Sequence, residues 1–511
     1  MADSTVIKLA QGTLWLTTAG LLVNALQLFS TIIAAWYLSP ADFGLVAIAI
    51  ALMAIVDAVS NLQLGESLIR LEDLGERDID CIWTLGAMRG LVVAILLCSM
   101  AWPVASFYDD DRLISVMQAL SIGPLVAGLQ NPRRYVQQRK LIFRQEFIIV
   151  IFQKVTSFVA TVSVAFLYQS YWALIVGNIV FSLAGAVMSF LVLQYRPRFG
   201  LAGVREVFGF SAWLTLGNIV NTLNWRFEFL LIGKILGTTS LGLYQMGSNF
   251  AQLPTREIMS PLKKVIYPGL TRVVNDPASK KNPGRVRTAY QRAQAAATLI
   301  ALPIGVGFAI VADPFVRIVL PDRWYPAIFI LQYLSAVFAF QTLGSLVQPL
   351  GWAKNRTRWL FIRDCWMLGI RLPIIVIGMA LGGLPGVVVA RIVSGVIGAG
   401  FNMFLVRRLI DLPIVNQLKA NWRAIASIAV TAVAMLTVER MFATASAASG
   451  DLLAQLFLQV LVAIVLYPVL TWILWRFSGR VDGPEVEICR LLAHFAATLW
   501  GRRASGDRGH P

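Results

Sequence analysis

The stretch Leu236-Gly-Thr-Thr-Ser-Leu-Gly-Leu243 forms a short turn signal between two long apolar segments. The stretch Leu38-Ser-Pro-Ala-Asp-Phe-Gly-Leu45 lies 198 residues earlier and has the same plan, with Leu, Gly and Leu at matching positions. Trp15-Leu16-Thr17 matches Trp213-Leu214-Thr215 at the same offset, without a gap. Internal repeats of this kind in membrane proteins are typical of transporters that bind their substrate between the repeats. We therefore interpret the chain as two copies of one unit of about 200 residues.

The composition is that of a protein embedded in a membrane. Of the 511 residues, 57% are hydrophobic and 14% are charged, whereas soluble domains are about 45–50% apolar and about 25% charged. Apolar runs of about 20 residues recur along the whole chain, and each is long enough to cross a hydrocarbon core of about 30 Å. The sequence therefore predicts an all-α integral membrane protein and excludes a soluble globular one.

We predict about fourteen membrane spans from these runs. Their approximate limits are 9–38, 45–70, 81–106, 112–131, 146–168, 171–193, 211–235, 239–260, 290–314, 326–351, 359–381, 384–406, 420–441 and 451–475. Ser39 is expected to cap the second span, with Pro40 in its first turn. The halves are expected to meet near residues 195–206.

The connections alternate between short ones and longer basic ones. Most of the 44 Lys and Arg residues lie in the longer connections and in the C-terminal tail, and residues 262–287 form the longest of these connections. By the positive-inside rule this side is cytoplasmic, and both termini are expected there. The net charge of +17 is thus explained by topology, and no nucleic-acid partner is expected. Residues 484–500 could form an amphipathic helix, for which a position on the membrane surface is favoured over docking to a partner.

Polar side chains form stripes on four of the predicted spans, the first, second, seventh and eighth, when residues are placed at 100° intervals. We expect these stripes to line a water-filled cavity, while hydrogen bonding between helices remains the alternative. The candidate lining residues are Asn24 and Gln27 in the first span, Asn218 and Thr222 in the seventh, and Asn249 and Gln252 in the eighth.

Charged residues inside the spans are costly and therefore point to function. Basic residues predominate, which favours an anionic substrate, and arginine in particular suits phosphate. The candidates for binding a diphosphate are Arg226, Arg371, Arg391, Lys154 and Arg89, and those for binding a coupling ion are Asp57 and Glu228. Structural ion pairs, such as Arg226 with Glu228, remain the alternative. Other charges, including Asp364, are discounted because they lie near span ends, where long side chains reach the interface.

The cysteines and histidines predict no cofactor or metal site. The four cysteines have unrelated spacings, and both histidines, His494 and His510, lie in the tail.

Four stretches resemble a known family. They are Leu38-Ser-Pro-Ala-Asp-Phe-Gly-Leu-Val-Ala-Ile-Ala49, Gln137-Gln-Arg-Lys-Leu-Ile-Phe-Arg144, Ser260-Pro-Leu-Lys-Lys-Val-Ile-Tyr-Pro-Gly-Leu-Thr-Arg272 and Asp313-Pro-Phe-Val-Arg-Ile-Val-Leu320. Together they are similar to the Wzx-like polysaccharide transporters of the multidrug/oligosaccharidyl-lipid/polysaccharide exporter superfamily. The likeness covers nearly the whole chain and is weakest after about residue 409.

This resemblance implies two pseudo-symmetric six-helix lobes around a central cavity, at residues 1–200 and 201–410. Two further transmembrane helices would follow at 411–476, and a cytoplasmic tail at 477–511. The implied function is to flip undecaprenyl-diphosphate-linked oligosaccharide across the bacterial inner membrane for exopolysaccharide, capsule or O-antigen (lipopolysaccharide) synthesis. A proton or sodium gradient is expected to drive it, and the polysaccharide polymerase and export machinery would be partners.

Two other functions remain as alternatives. A multidrug cation antiporter of the same superfamily would need an excess of acidic residues in its cavity. A membrane polysaccharide polymerase or ligase would need a sizeable loop on the extracytoplasmic side, where the longest connection, at 314–325, is short.

Overall fold

The computed structural model describes residues 2–61, 75–140, 142–201, 212–443 and 449–478. These residues form helices joined by turns, and they contain no strand. The α-helices are α1 (Ala2–Tyr37), α2 (Pro40–Ser60), α3 (Glu76–Tyr108), α4 (Arg112–Gly128), α5 (Arg133–Arg139), α6 (Arg144–Tyr168), α7 (Trp172–Val192), α8 (Ala212–Asn275), α9 (Pro277–Lys281), α10 (Gly284–Ile310), α11 (Ala312–Val319), α12 (Ile328–Gln341), α13 (Val347–Ala353), α14 (Thr357–Ile410), α15 (Ile414–Lys419), α16 (Trp422–Ala443) and α17 (Ser449–Phe477).

The long apolar helices match the predicted spans. Within the described ranges, ten helical segments are long and apolar enough to cross a membrane, or eleven if the bent pair α4 and α5 forms one span. The all-α, multi-pass prediction is therefore confirmed. The count of fourteen spans stays a prediction.

Two helices are much longer than one membrane crossing. Helix α14 has 54 residues, which corresponds to about 80 Å of helix against a hydrocarbon core of about 30 Å. It breaks at Gly382 and Gly383, and Gly383 has a φ of 55°, a backbone conformation that glycine adopts without steric cost. Helix α8 breaks in the same way at Gly237, where φ is 82°. Each of the two helices therefore covers two of the predicted spans.

The start of α2 follows the prediction from its sequence. The Ser39 hydroxyl accepts a hydrogen bond from the Asp42 backbone N–H at 3.2 Å, and the Asp42 carboxylate accepts one from the Ser39 backbone N–H at 2.9 Å. These reciprocal bonds form a capping box that satisfies two amide groups at the helix start. Pro40, whose missing N–H is tolerated there, is the first residue of α2.

The two repeats meet where α2 begins and where α8 resumes after Gly237. A Cβ atom on Gly44 would lie 1.8 Å from the carbonyl oxygen of Thr238, and a Cβ on Gly242 would lie 1.8 Å from that of Pro40. The 198-residue offset converts the first contact into the second, since Gly44 corresponds to Gly242 and Pro40 to Thr238. The repeat inferred from the sequence is thus visible as a reciprocal backbone contact.

The chain packs as two compact units. The first contains Met1–Gly247, Val319–Ile330 and Thr357–Ala390, and the second contains Ser248–Ile318, Leu331–Arg356 and Arg391–Pro511. The lobe boundaries predicted at 200 and 410 stay predictions. The amphipathic helix proposed at 484–500 lies outside the described residues.

The two C-terminal helices pack within the second unit. Tyr467 on α17 donates a hydrogen bond from its hydroxyl to the carbonyl oxygen of Leu299 on α10, at 2.8 Å. Both residues belong to an apolar cluster that also contains Ala424 and Ile428 of α16. A buried tyrosine hydroxyl usually finds such a partner, and here the bond joins α17 to α10.

Candidate substrate-binding site in the membrane spans

Lys154 on α6 contacts the first span. Only 7% of Lys154 is exposed, and its Nζ donates a hydrogen bond to Oε1 of Gln27 on α1. The Nε2 of Gln27 donates in turn to the hydroxyl of Thr31 at 3.2 Å. Asn24, one helical turn before Gln27, is half-buried. Because an ammonium group in an apolar environment is costly without a polar partner, Gln27 stabilises Lys154 in this position.

Arg371 on α14 makes the corresponding contact in the second repeat. It is 8% exposed, and its Nη1 donates a hydrogen bond to the backbone carbonyl oxygen of Asn224 on α8, at 2.8 Å. Its guanidinium carbon lies 5.7 Å from the centre of the Trp225 ring, within the range of a cation–π interaction. Asn224 also donates from Nδ2 to the carbonyl oxygen of Asp364, at 2.9 Å. Two polar contacts therefore join the seventh and eleventh predicted spans.

The two contacts are related by the internal repeat. Gln27 corresponds to Trp225 under the 198-residue offset, and each contacts a cation on the fifth span of its own repeat. The residues that contact the two cations differ in chemistry. The amide oxygen of Gln27 contacts the Lys154 ammonium, whereas the ring of Trp225 lies beside the Arg371 guanidinium. The first unit thus holds one basic side chain on the fifth span of each repeat, although the 198-residue offset does not match Lys154 with Arg371.

Arg226 and Glu228 lie on α8, one and three residues after Trp225. Glu228 is 2% exposed and accepts a hydrogen bond from the Tyr244 hydroxyl at 3.2 Å. The Arg226 guanidinium carbon lies 6.0 Å from the centre of the Phe229 ring. The alternative that Arg226 and Glu228 form a structural ion pair stays a prediction.

Arg89 and Asp57 contact each other. The Arg89 guanidinium forms an ion pair with the Asp57 carboxylate. Its Nε donates to the Ser60 carbonyl oxygen at 3.1 Å, and its Nη2 donates to the Asp57 carbonyl oxygen at 3.3 Å. Carbonyl groups at a helix end lack intrahelical partners, so Arg89 on α3 caps the C-terminal end of α2. The structure thus brings together one residue predicted to bind diphosphate and one predicted to bind a coupling ion.

Three further candidates, Arg391, Asn249 and Gln252, belong to the second unit. Arg391 is fully buried, and its guanidinium carbon lies 5.7 Å from the centre of the Phe338 ring. Gln252 donates from Nε2 to the hydroxyl of Ser248 at 3.2 Å, while Asn249 is exposed. The prediction that these residues line one cavity with those of the first unit stays a prediction.

The sequence analysis missed Asn224 and Tyr244. Asn218 and Thr222 belong to the predicted polar stripe of the seventh span and are half-buried. Asn224 lies about 40° beyond the edge of that stripe on a helical projection, so periodicity gave no signal for it. Tyr244 lies in an apolar segment, and only its hydroxyl group could have indicated a polar contact.

This arrangement suits an anion better than a metal ion. No group of three His, Cys, Asp or Glu side chains able to hold a metal ion occurs in the described part of the chain. Lys154 and Arg371 instead provide ammonium and guanidinium groups, which bind phosphate oxygens through charge-assisted hydrogen bonds. Fold and site together define a multi-pass α-helical membrane protein with buried basic groups in its spans.

Comparison with known proteins assigns the chain to a family. The chain belongs to the family of polysaccharide biosynthesis proteins, whose model matches residues 33–329. It is 24% identical over 402 residues to the lipopolysaccharide biosynthesis protein WzxC of Escherichia coli, covering 78% of this chain and 80% of that protein. It is 24% identical over 314 residues to the teichuronic acid biosynthesis protein TuaB of Bacillus subtilis, covering 61% of this chain and 64% of that protein. The Wzx-like resemblance is therefore confirmed.

Solved structures show the same fold. The lipid II flippase MurJ in an inward closed conformation has a TM-score of 0.67 and 15% identity, with 90% of this chain and 98% of that chain covered. An inward-facing multidrug resistance MATE transporter has a TM-score of 0.57 and 15% identity, with 79% of this chain and 94% of that chain covered. Both similarities are in fold, and they confirm the all-α membrane fold.

Proposed function

We propose that this protein is a flippase for undecaprenyl-diphosphate-linked oligosaccharide repeat units. It would move them from the cytoplasmic to the periplasmic leaflet of the bacterial inner membrane, for exopolysaccharide, capsule or O-antigen synthesis. The observation that carries the proposal is the pair of buried cations, Lys154 and Arg371, which contact corresponding positions in the two repeats of a member of the polysaccharide biosynthesis family. The basic connections support cytoplasmic termini.

The chemistry of the substrate explains these cations. The diphosphate is its most strongly charged part, and moving it through a hydrocarbon layer without compensating charge is prohibitively costly. Lys154 and Arg371, with Arg226 nearby on α8, supply positive charge inside the spans. The polar glycan would pass along the polar stripes while the undecaprenyl tail remains in the lipid. Transport of this kind needs no covalent step, so no catalytic residue is assigned.

A proton or sodium gradient would drive the cycle through a carboxylate. Of the two candidates, Glu228 is buried beside Tyr244, while Asp57 is bound by Arg89. Glu228 is also the more buried of the two carboxylates, at 2% exposed against 48% for the Asp57 side chain. We therefore favour Glu228 as the coupling group.

Reconstitution tests the proposal directly. The purified protein would be inserted into vesicles loaded on one leaflet with lipid-linked oligosaccharide extracted from the host. A glycosidase added outside then reports the units that reach the other leaflet. Units that appear at a rate proportional to the amount of protein support flipping. Efflux of a cationic dye without movement of the oligosaccharide would assign the chain to the cation antiporters instead.

A further inference from the structure

The segment Val319–Ile330, called here the strap, connects two helices of the second repeat yet packs within the first compact unit. It contains a short 3-10 helix, Asp322–Ala327. Trp324 in that helix is fully buried, and it is the largest of the fully buried side chains among the described residues. Connections usually run over protein surfaces, so a tryptophan buried in one indicates a specific contact.

Two indole groups join the strap to the end of α1. The Nε1 of Trp324 donates a hydrogen bond to the carbonyl oxygen of Ala35 at 2.9 Å, and the Nε1 of Trp36 donates one to the carbonyl oxygen of Val319 at 3.0 Å. Ala35 lies in the last turn of α1, and Val319 is the last residue of α11. Both carbonyl groups lack partners within their helices. Trp36 of α1 therefore caps the end of α11, and Trp324 of the 3-10 helix caps the end of α1.

Charge and packing strengthen this contact. The Arg323 Nη2 donates to the carbonyl oxygen of Ala35 at 3.3 Å and to that of Trp36. A cation at a helix C-terminus also interacts favourably with the helix dipole. The Phe43 ring meets the Trp324 ring edge-on, with centroids 5.1 Å apart and planes at 89°. The strap thus holds the end of α1 and the start of α2.

The strap lies next to the contact between the repeats. Phe43, which packs on Trp324, immediately precedes Gly44, whose backbone contacts Thr238. Charge distribution predicts that these short connections face the periplasm, the side on which a flippase must release its glycan. A flippase that releases its glycan on this side would need this contact to open.

We propose that the strap is a latch. Seated Trp324 holds the end of α1 against the second repeat, and the indole leaves its site beside Phe43 when the periplasmic side opens. The inference rests on the proposed function, because it assigns the latch a step in the transport of lipid-linked oligosaccharide. Ala34 and Ala35 are fully buried, and the Ala35 carbonyl oxygen is bonded to Trp324 and Arg323 of the strap. Their exposure therefore reports the release of the strap.

Thiol labelling measures this release in the full-length protein. Ala35→Cys is introduced, with Ala34→Cys as a second reporter, and a membrane-impermeant maleimide is added from the periplasmic side. Labelling of the chain without the reporter is subtracted as background for the native cysteines. Trp324→Phe keeps an aromatic ring but removes the indole donor. We expect about fivefold faster labelling, the shift for one lost hydrogen bond. Trp102→Phe is the control, because Trp102 is 56% exposed.

The outcomes separate the latch from the proposed function. Unchanged labelling in Trp324→Phe would overturn the latch, and so would labelling of Ala35→Cys that is the same whether or not the cells make lipid-linked oligosaccharide. Labelling that is faster in Trp324→Phe, and faster in cells that make lipid-linked oligosaccharide than in cells that do not, supports the latch. Flipping is measured separately in the same cells. If the unaltered protein never flips while Trp324→Phe still accelerates labelling, the proposed function fails but the contact stands.

Discussion

The Nη1 of Arg371 donates a hydrogen bond to the backbone carbonyl oxygen of Asn224 at 2.8 Å, and the same guanidinium lies over the Trp225 ring. In the first repeat Lys154 bonds to Gln27, the residue that corresponds to Trp225. A cation therefore lies between the first and fifth spans of each repeat. Duplicated positive charge in the membrane is expected of a protein that binds an anion between its repeats.

Removing either cation should impair transport. We expect Arg371→Ala and Lys154→Ala each to lower the flipping rate by about tenfold to a hundredfold, the range for one hydrogen bond to a charged group. Arg371→Lys should recover only part of the loss, because an ammonium lacks the planar fork of guanidinium. The rate is measured per inserted molecule. Arg256→Ala, at a side chain 61% exposed, serves as control, and full activity of both alanine variants would contradict the assignment.

Replacing Glu228 by Gln should uncouple transport from the ion gradient. Glutamine keeps an oxygen that can accept the bond from Tyr244 but cannot take up a proton or hold a sodium ion electrostatically. We expect flipping by Glu228→Gln to become insensitive to collapse of the gradient, while Asp57→Asn remains sensitive. The measurement is the flipping rate with and without a gradient across reconstituted vesicles. An unaltered dependence in Glu228→Gln would exclude this carboxylate.

The ion pair between Arg89 and Asp57 should contribute to stability. Both side chains are partly exposed, at 25% and 48%, so we expect a coupling of about 1 kcal/mol or less. Thermal unfolding of Arg89→Ala, Asp57→Ala and the double variant in detergent gives this coupling as a double-mutant cycle. Arg89→Lys should restore little, because lysine cannot reproduce the Nε bond to the Ser60 carbonyl. Purely additive effects would show that the pair is not coupled.

The reciprocal glycine contact predicts two equal defects. An alanine methyl group at Gly44 or at Gly242 would overlap backbone carbonyl groups, with a cost of about 1–3 kcal/mol for overpacking. We expect Gly44→Ala and Gly242→Ala to lower the amount of folded protein and the flipping rate to a similar extent. Gly307→Ala is the control, since a Cβ there meets no atom within 4 Å. A large effect at one glycine and none at the other would refute the symmetry.

The sequence predicted the fold and the repeat well, because both depend on patterns visible in one dimension. Apolar run length gave the spans, and the matching turns gave the repeat that Gly44 and Gly242 display. The capping box was predicted in part, because Ser39 was expected to cap α2 while the reciprocal bond from Asp42 was not foreseen. These features depend on residues close in the chain or on periodicity, which a sequence records directly.

The sequence predicted the candidate site only in part. It selected Lys154 and Arg371 from their depth in the spans, but it could not show that Arg89 is bound to Asp57, a contact 32 residues apart. Asn224 lay off the polar face and was missed. Trp324 gave no signal either, since a tryptophan in a short connection is usually exposed. Such partners depend on packing between distant segments.

The sidedness of lipid-linked repeat units in cells depleted of this protein tests the central claim most directly. A sugar-modifying enzyme that cannot cross the inner membrane is added from the periplasmic side. The account predicts that intact units accumulate while shielded from this enzyme, on the cytoplasmic leaflet. Unpolymerised units that accumulate exposed to the enzyme would contradict it, and would assign the protein to a polymerase or ligase step that follows flipping.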